Sequence, residues 1–230
     1  MKLRKMKNTI AFALLMLVPI FSQSCSKANE PSPPENASYG GEFFIIKSST
    51  APWDTVNNQI AGAYFIDTLQ GPVGINVGSV SLNDKLMDLQ GASNPIYGLS
   101  GEDFHISDST VWHVSGGGGV SAFSYNDLAP FPTFSTLLPD TISKSGWSYT
   151  FSATNADSIV VTFRYPEVAK SLVGSSSSVS FSAGDLAGLQ EDTRVLLEIS
   201  TYSTHYETIN GKYYAFIKEV RKDSYLWVTP

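Results

Sequence analysis

Asn210-Gly211 constrains this chain more than any other pair of residues. It sits between two long runs rich in β-branched and aromatic side chains. Both residues tolerate the positive φ that a two-residue type I′ turn demands, so the pair predicts a tight hairpin over residues 194–228. Such a turn also fixes the register. Ile209 pairs with Lys212, Glu207 faces Tyr214, His205 faces Phe216 and Ser203 faces Lys218. Residues 225–228 (YLWV) read as a final strand closing the sheet.

The rest of the chain carries the same signature. Residues 41–47 (GEFFIIK), 60–68 (IAGAYFIDT) and 73–82 (VGINVGSVSL) are strand candidates, separated by glycine-rich breaks; residues 83–87 read as a turn or one helical turn. Residues 110–114 and 120–125 flank four glycines, Gly116 to Gly119, and predict a hairpin with a glycine tip. A phosphate cradle would need a following helix and usually a lysine, and neither is present. Trp147, Tyr149 and Phe151 alternate with polar residues, as do Ile159, Val161, Phe163 and Tyr165, and the two runs are expected to pair as one wall. Residues 179–182 read as a short strand, and residues 185–189 as a single helical turn. The expectation is an all-β protein: two immunoglobulin-like β-sandwich domains, or one large two-part β-sandwich. Pro139-Asp140 suggests a boundary, giving an N-terminal β-domain over 39–138 and a C-terminal sandwich over 139–230. The Cys…Trp…Cys pattern of antibody domains is absent.

The N-terminus has a different character. Lys2, Arg4, Lys5 and Lys7 precede a twelve-residue apolar run, residues 10–21, and no acid occurs in the first 29 residues. That run is too short for a stable membrane span and has the order of a secretory signal. It ends in Ser22-Gln23-Ser24-Cys25, with the only cysteine of the chain. The segment resembles a bacterial lipoprotein signal, with a relaxed box like those of Bacteroidota. The resemblance implies removal of residues 1–24 and lipidation of Cys25, which would give the lone thiol a use. Residues 25–38 then form a lipidated cysteine and a proline-rich tether, in which Pro31, Pro33 and Pro34 stiffen the chain. The same resemblance implies an envelope location, anchored at the outer membrane and facing the periplasm or the surface.

Charge and motif limits narrow the function. Without the signal, eleven basic residues face twenty-one acids, a net charge of −10 with no basic cluster, which disfavours nucleic acid. His105 and His113, with Asp103 and Asp108, could sketch a metal site, but the spacing lacks the order of structural zinc. Asp84/Asp88 and Asn155/Asp157 are loop clusters of the kind calcium accepts, and equally of the kind that makes turns. The adjacent acids Glu102/Asp103 and Glu191/Asp192 point to opposite faces if they lie on strands. No serine lies in Gly-x-Ser-x-Gly. Neither metal, cofactor nor catalysis is expected. Tyr206, Tyr214 and Trp227 are the candidate ligand-binding residues, because exposed rings in C-terminal strands can stack on sugars. In the inferred register Tyr206 and Tyr214 lie on opposite faces, so one set must enter the core. The expected role is non-catalytic binding of a glycan or an envelope protein. A structural or adhesion subunit, similar in design to lipoprotein-derived fimbrial subunits, is the alternative, and a hydrolase the third.

Overall fold

The computed structural model describes residues 38–50, 58–67, 73–91, 93–100, 106–135, 137–164, 168–173 and 178–230. The signal segment, Cys25 and the tether lie outside them, except Ser38, which already belongs to the first strand. Among the described residues the protein is all-β. The strands of the first half are β1 (Ser38–Thr50), β2 (Asn58–Asp67), β3 (Val73–Gly74), β4 (Val80–Leu82), β5 (Lys85–Leu86), β6 (Asp88–Gln90), β7 (Ile96–Ser100), β8 (Thr110–Val114) and β9 (Phe123–Asp127). Next come β10 (Thr133–Ser135), β11 (Thr141–Ser143), β12 (Gly146–Thr150), β13 (Ser152–Thr154), β14 (Ser158–Arg164), β15 (Val168–Val173) and β16 (Ser178–Ser182). The chain closes on two long strands, β17 (Arg194–Ile209) and β18 (Lys212–Thr229).

The β17–β18 hairpin is the spine. Asn210 (φ 52°) and Gly211 (φ 78°) make the turn, and all the expected pairs form, from Ile209 opposite Lys212 down to Arg194 opposite Trp227. β18 continues unbroken to Thr229, so residues 225–228 are the end of this strand and not a separate one. At about 3.3 Å per residue the hairpin is roughly 55 Å long. A large sheet grows from it in the order β15-β14-β17-β18-β1-β2-β7-β6, with β3 on β2 and β11 on the far part of β18. Both β1 and β11 run parallel to β18, which departs from the purely antiparallel sheets of an immunoglobulin sandwich.

One face of this sheet backs two cores. Towards the hairpin tip, Tyr214 and Phe216 join Phe43, Ile45, Phe65, Tyr97 and Trp112 beneath the small sheet β5-β4-β8-β9. Towards its base, Val195, Leu197, Ile199, Leu226 and Val228 join Ile159, Val161, Phe163 and Phe181 beneath β10-β13 and β12-β16. The arrangement is a sandwich whose long sheet faces successive small ones. Strand pairing does not stop at 138/139: Tyr214 and Phe216 belong to the first core, and Phe134 already belongs to the second.

Three local expectations are corrected. The runs containing Trp147 and Phe163 do not pair: β12 pairs with β16, and β14 lies between β15 and β17. They form facing walls, and Trp147 meets Phe163 edge-on at 5.4 Å across the core. Alternation shows that a strand has a buried face, but not which strand it pairs with. The candidate over 73–82 is broken, because Gly78 turns at φ 84° between β3 and β4. Residues 185–189 form tight turns, with Ala187 N–H donating to Gly184 O and Leu189 N–H to Leu186 O.

Candidate ligand-binding face

The outer face of the large sheet, opposite the cores, is where a ligand could meet aromatic rings. Alternation along β1 from Phe43 and Ile45 would send Tyr39 inward. A bulge at Gly40 prevents this: the register steps from Tyr39 opposite Tyr213 to Gly41 opposite Tyr214. The extra residue moves Tyr39 to the outer face, a one-residue slip that inverts every side chain before it. Only glycine fits there, since a Cβ at position 40 would sit 2.6 Å from the Tyr214 ring packed beneath.

Three rings therefore share the outer face near the hairpin tip. Tyr39 and Tyr213 have centroids 5.1 Å apart, and Tyr206 meets Tyr213 edge-on at 6.0 Å. The neighbouring cross-strand row runs Tyr206, Ala215, Glu42, Tyr64, so the small Ala215 lies between a ring and a carboxylate. Burial and then the Glu42 charge push the Tyr39 hydroxyl far above its ordinary range, and the same two causes raise Tyr64. Both phenols stay protonated; the Tyr39 hydroxyl is itself buried without a hydrogen-bond partner, so Tyr39 offers its ring and not its oxygen. Three contiguous rings beside one carboxylate offer apolar faces for C–H surfaces and an acceptor for hydroxyl groups.

The three residues expected to bind ligand are not brought together. Tyr206 is half-buried in the outer cluster just described. Tyr214 is 2% exposed, in ring contact with Phe43, Phe65 and Phe123, and is a core residue with no face open to ligand. Trp227 is 43% exposed on the outer face, with Tyr225 on the same face, but twelve residues beyond Ala215, about 40 Å away along the strand. The sequence reading missed Tyr39 and did not select Tyr213 from the aromatics of the C-terminal strands. Tyr213 was recoverable from the hairpin register, whereas Tyr39 depends on the bulge.

Further along the same face lies an ionic cluster. Arg164 contacts Glu198 at 2.8 Å; Arg221 contacts Glu219 at 2.8 Å and Glu198 at 3.5 Å; Ser200 donates to Glu219 at 2.7 Å. Asp223 stands directly opposite Glu198 on the ladder. Burial, then the charge of Glu198, lifts its carboxyl to about 6. Tyr202, opposite Glu219, is raised to about 12 by burial and by that carboxylate.

The remaining candidates make local structure. Gly117 and Val120 exchange backbone hydrogen bonds at the glycine tip. Asp84 (φ 63°) and Asn155 (φ 56°) sit in turns, and Asp157 accepts the Thr204 N–H at 2.6 Å. His113 lies 2.7 Å from the Ser124 hydroxyl, with Asp84, 96% exposed, 3.8 Å from its other nitrogen; that carboxylate is too solvated to orient a catalytic imidazole. No group of three or more metal-binding side chains occurs among the described residues, and Glu102, Asp103 and His105 lie outside them. Among the described residues, no helix is long and apolar enough to cross a membrane. No family model matches the chain, and no curated protein matches it in sequence.

Proposed function

We propose that this protein is an envelope lipoprotein, anchored through Cys25, that binds a glycan without chemically altering it. The binding surface is the outer face at Tyr39, Tyr206, Tyr213 and Glu42. The observation that carries the reading is the contiguity of the three rings beside a carboxylate, produced by a bulge that costs β1 a regular register. Stacking on the rings supplies affinity, and Glu42 with the Tyr206 and Tyr213 hydroxyls supplies hydrogen bonds that select hydroxyl orientation. The acidic chain favours neutral or cationic saccharides over polyanionic ones.

The test is a glycan array probed with the full chain in detergent, with and without EDTA. The expected result is saturable binding that Tyr206→Ala or Tyr213→Ala weakens about tenfold or more, equivalent to about 1.4 kcal/mol, at unchanged melting temperature. Absence of any glycan ligand for the folded protein, or equal binding by both variants, overturns the reading. Loss of binding with EDTA would add a calcium bridge to Glu42. Separately, Cys25→Ser is expected to move the protein out of the membrane fraction.

A further inference from the structure

Between the two cores, on the inner face of β18, lies a lysine in a place where lysines are rarely found. Lys218 is 1% exposed and Asp127, at the end of β9, is also 1% exposed. Lys218 Nζ stands 3.1 Å from Asp127 Oδ2. The carboxyl carbon is one bond beyond that oxygen, so the amine must turn from the oxygen onto the carbon to reach the separation of about 3–3.5 Å at which held reactants form bonds. The amine also donates to Asp108 O at 3.0 Å and to Ala129 O, and lies 5.2 Å from the centre of the Phe131 ring. Water has little access, and a buried charge pair is costly to keep ionised.

The other carboxylate oxygen is held as well. Asp127 Oδ1 accepts the Ala129 N–H at 2.9 Å and is 3.6 Å from His205 Nε2. Tyr125 donates its hydroxyl proton to Glu207 at 3.1 Å, so its oxygen, 3.1 Å from His205 Nε2, accepts from the imidazole. This places the ring proton on Nε2, bonded to Tyr125 in the resting state, with Asp127 Oδ1 3.6 Å from the same nitrogen and within reach of a small ring rotation. His205 is 27% exposed and can exchange protons with solvent. Thr110, directly across the β8–β9 ladder from Asp127, keeps a buried hydroxyl without a hydrogen-bond partner.

We propose that Lys218 and Asp127 are the site of a self-forming isopeptide bond. A proton passes from the ammonium to the carboxylate, giving a neutral amine and a carboxylic acid. The amine lone pair attacks Cγ, the Cγ–N bond forms, the Cγ–Oδ1 bond breaks, and the proton first taken up at Oδ2 passes to the departing oxygen as Oδ2 becomes the amide carbonyl. His205 gives its Nε2 proton to the departing oxygen and recovers one from the nitrogen. Two of the three ammonium hydrogens leave in one molecule of water, the third remains on the amide, and no oxidant, reductant or co-substrate is consumed. The amide N–H retains Ala129 O as an acceptor. The product ties β9 in the small sheet to β18 in the large one, a covalent staple across the sandwich in a chain whose single cysteine allows no internal disulfide.

The test is peptide mapping of the full chain after denaturation and trypsin digestion. The expected result is a branched peptide joining the segments around Asp127 and Lys218, about 18 Da lighter than their sum, with no cleavage after Lys218. His205→Phe, which keeps a ring against Phe216, is expected to lower the linked fraction severalfold in freshly folded protein. Quantitative recovery of two linear peptides from the wild-type chain overturns the proposal and makes the pair an ordinary buried ion pair. A linked wild type with an equally linked His205→Phe variant overturns the role of the imidazole.

Discussion

Phe43→Ala tests whether the two cores are one cooperative unit. Phe43 is 1% exposed and touches five aromatic rings: Phe65 at 5.4 Å, Trp112 and Phe216 at 4.8 Å, and Phe123 and Tyr214 at 6.0 Å. Those neighbours come from two strands of the large sheet, β2 and β18, and from β8 and β9 of the small sheet above it, so the hole cannot close by movement of one element. A buried Phe→Ala change costs about 3–5 kcal/mol, and the density of ring contacts here places it near 4. With a slope of about 2–3 kcal/mol/M, the urea midpoint falls by about 1.3–2 M. The location of the loss is more informative than its size. β17 and β18 are shared by both cores, so the hairpin cannot leave the first without exposing the second. Native-state hydrogen exchange is expected to show β2, in the first core, and β14, in the second, losing the same opening free energy. If β14 keeps its wild-type protection while β2 loses about 4 kcal/mol, the hairpin does not couple the cores, and the halves behave as two domains.

The pH dependence of Asp223 follows from its folded carboxyl at about 6, above the ordinary 3.8. The folded state holds this proton more tightly, so the contribution is complete below 3.8 and lost as pH rises through about 6. Allowing for solvent screening at a half-buried site, it is worth about 1 kcal/mol. Asp223→Asn is therefore expected to be more stable than wild type at pH 8, with the difference gone by pH 4; denaturant melts across that range check it, and a gap independent of pH refutes the assignment. Gly211→Ala forces a Cβ onto φ 78° and is expected to cost about 1 kcal/mol, seen as a melting temperature lower by about 2–4 °C. An unchanged melt would mean the turn relaxes away from type I′.

The hairpin was legible because a two-residue turn leaves no freedom in pairing: once Asn210-Gly211 is a type I′ turn, sixteen pairs follow from arithmetic. The partners of β12 and β14 were not legible, because Trp147 and Phe163 report only that each strand has a buried side. Register also placed Tyr206 and Tyr214 on opposite faces, but not which face was the core. Glu207 and His205 share the face of Tyr214, and two polar neighbours make that face read as exposed. In the fold both are satisfied from across the sandwich by the Tyr125 hydroxyl, a partner 80 residues away in sequence from His205. Tyr39 was hidden for another reason: a bulge at one glycine decides its face, and alternation carries no sign of it.

The position of the tyrosine cluster gives the binding proposal a geometric consequence. β1 begins at Ser38 beside Lys212, so the described chain starts at the hairpin tip, one residue from Tyr39. On the lipid-anchor reading, twelve residues separate Cys25 from Ser38, thirteen steps along the chain and a span of at most about 45 Å. The far end of the second core, at Leu226 and Val228, lies about 50 Å further along β18, with Trp227 on the opposite face there. On that reading the rings would lie at the end nearer the anchor and the second core at the end farther from it. A glycan held at Tyr39, Tyr206 and Tyr213 is one that reaches close to the anchoring bilayer, whereas a ligand presented far from the membrane would meet Tyr225 and Trp227 first. Lengthening the tether by a flexible insertion before Ser38 should leave the affinity for free glycan unchanged while altering capture of membrane-attached glycan; a change in the free-glycan affinity would place the tether itself in the site.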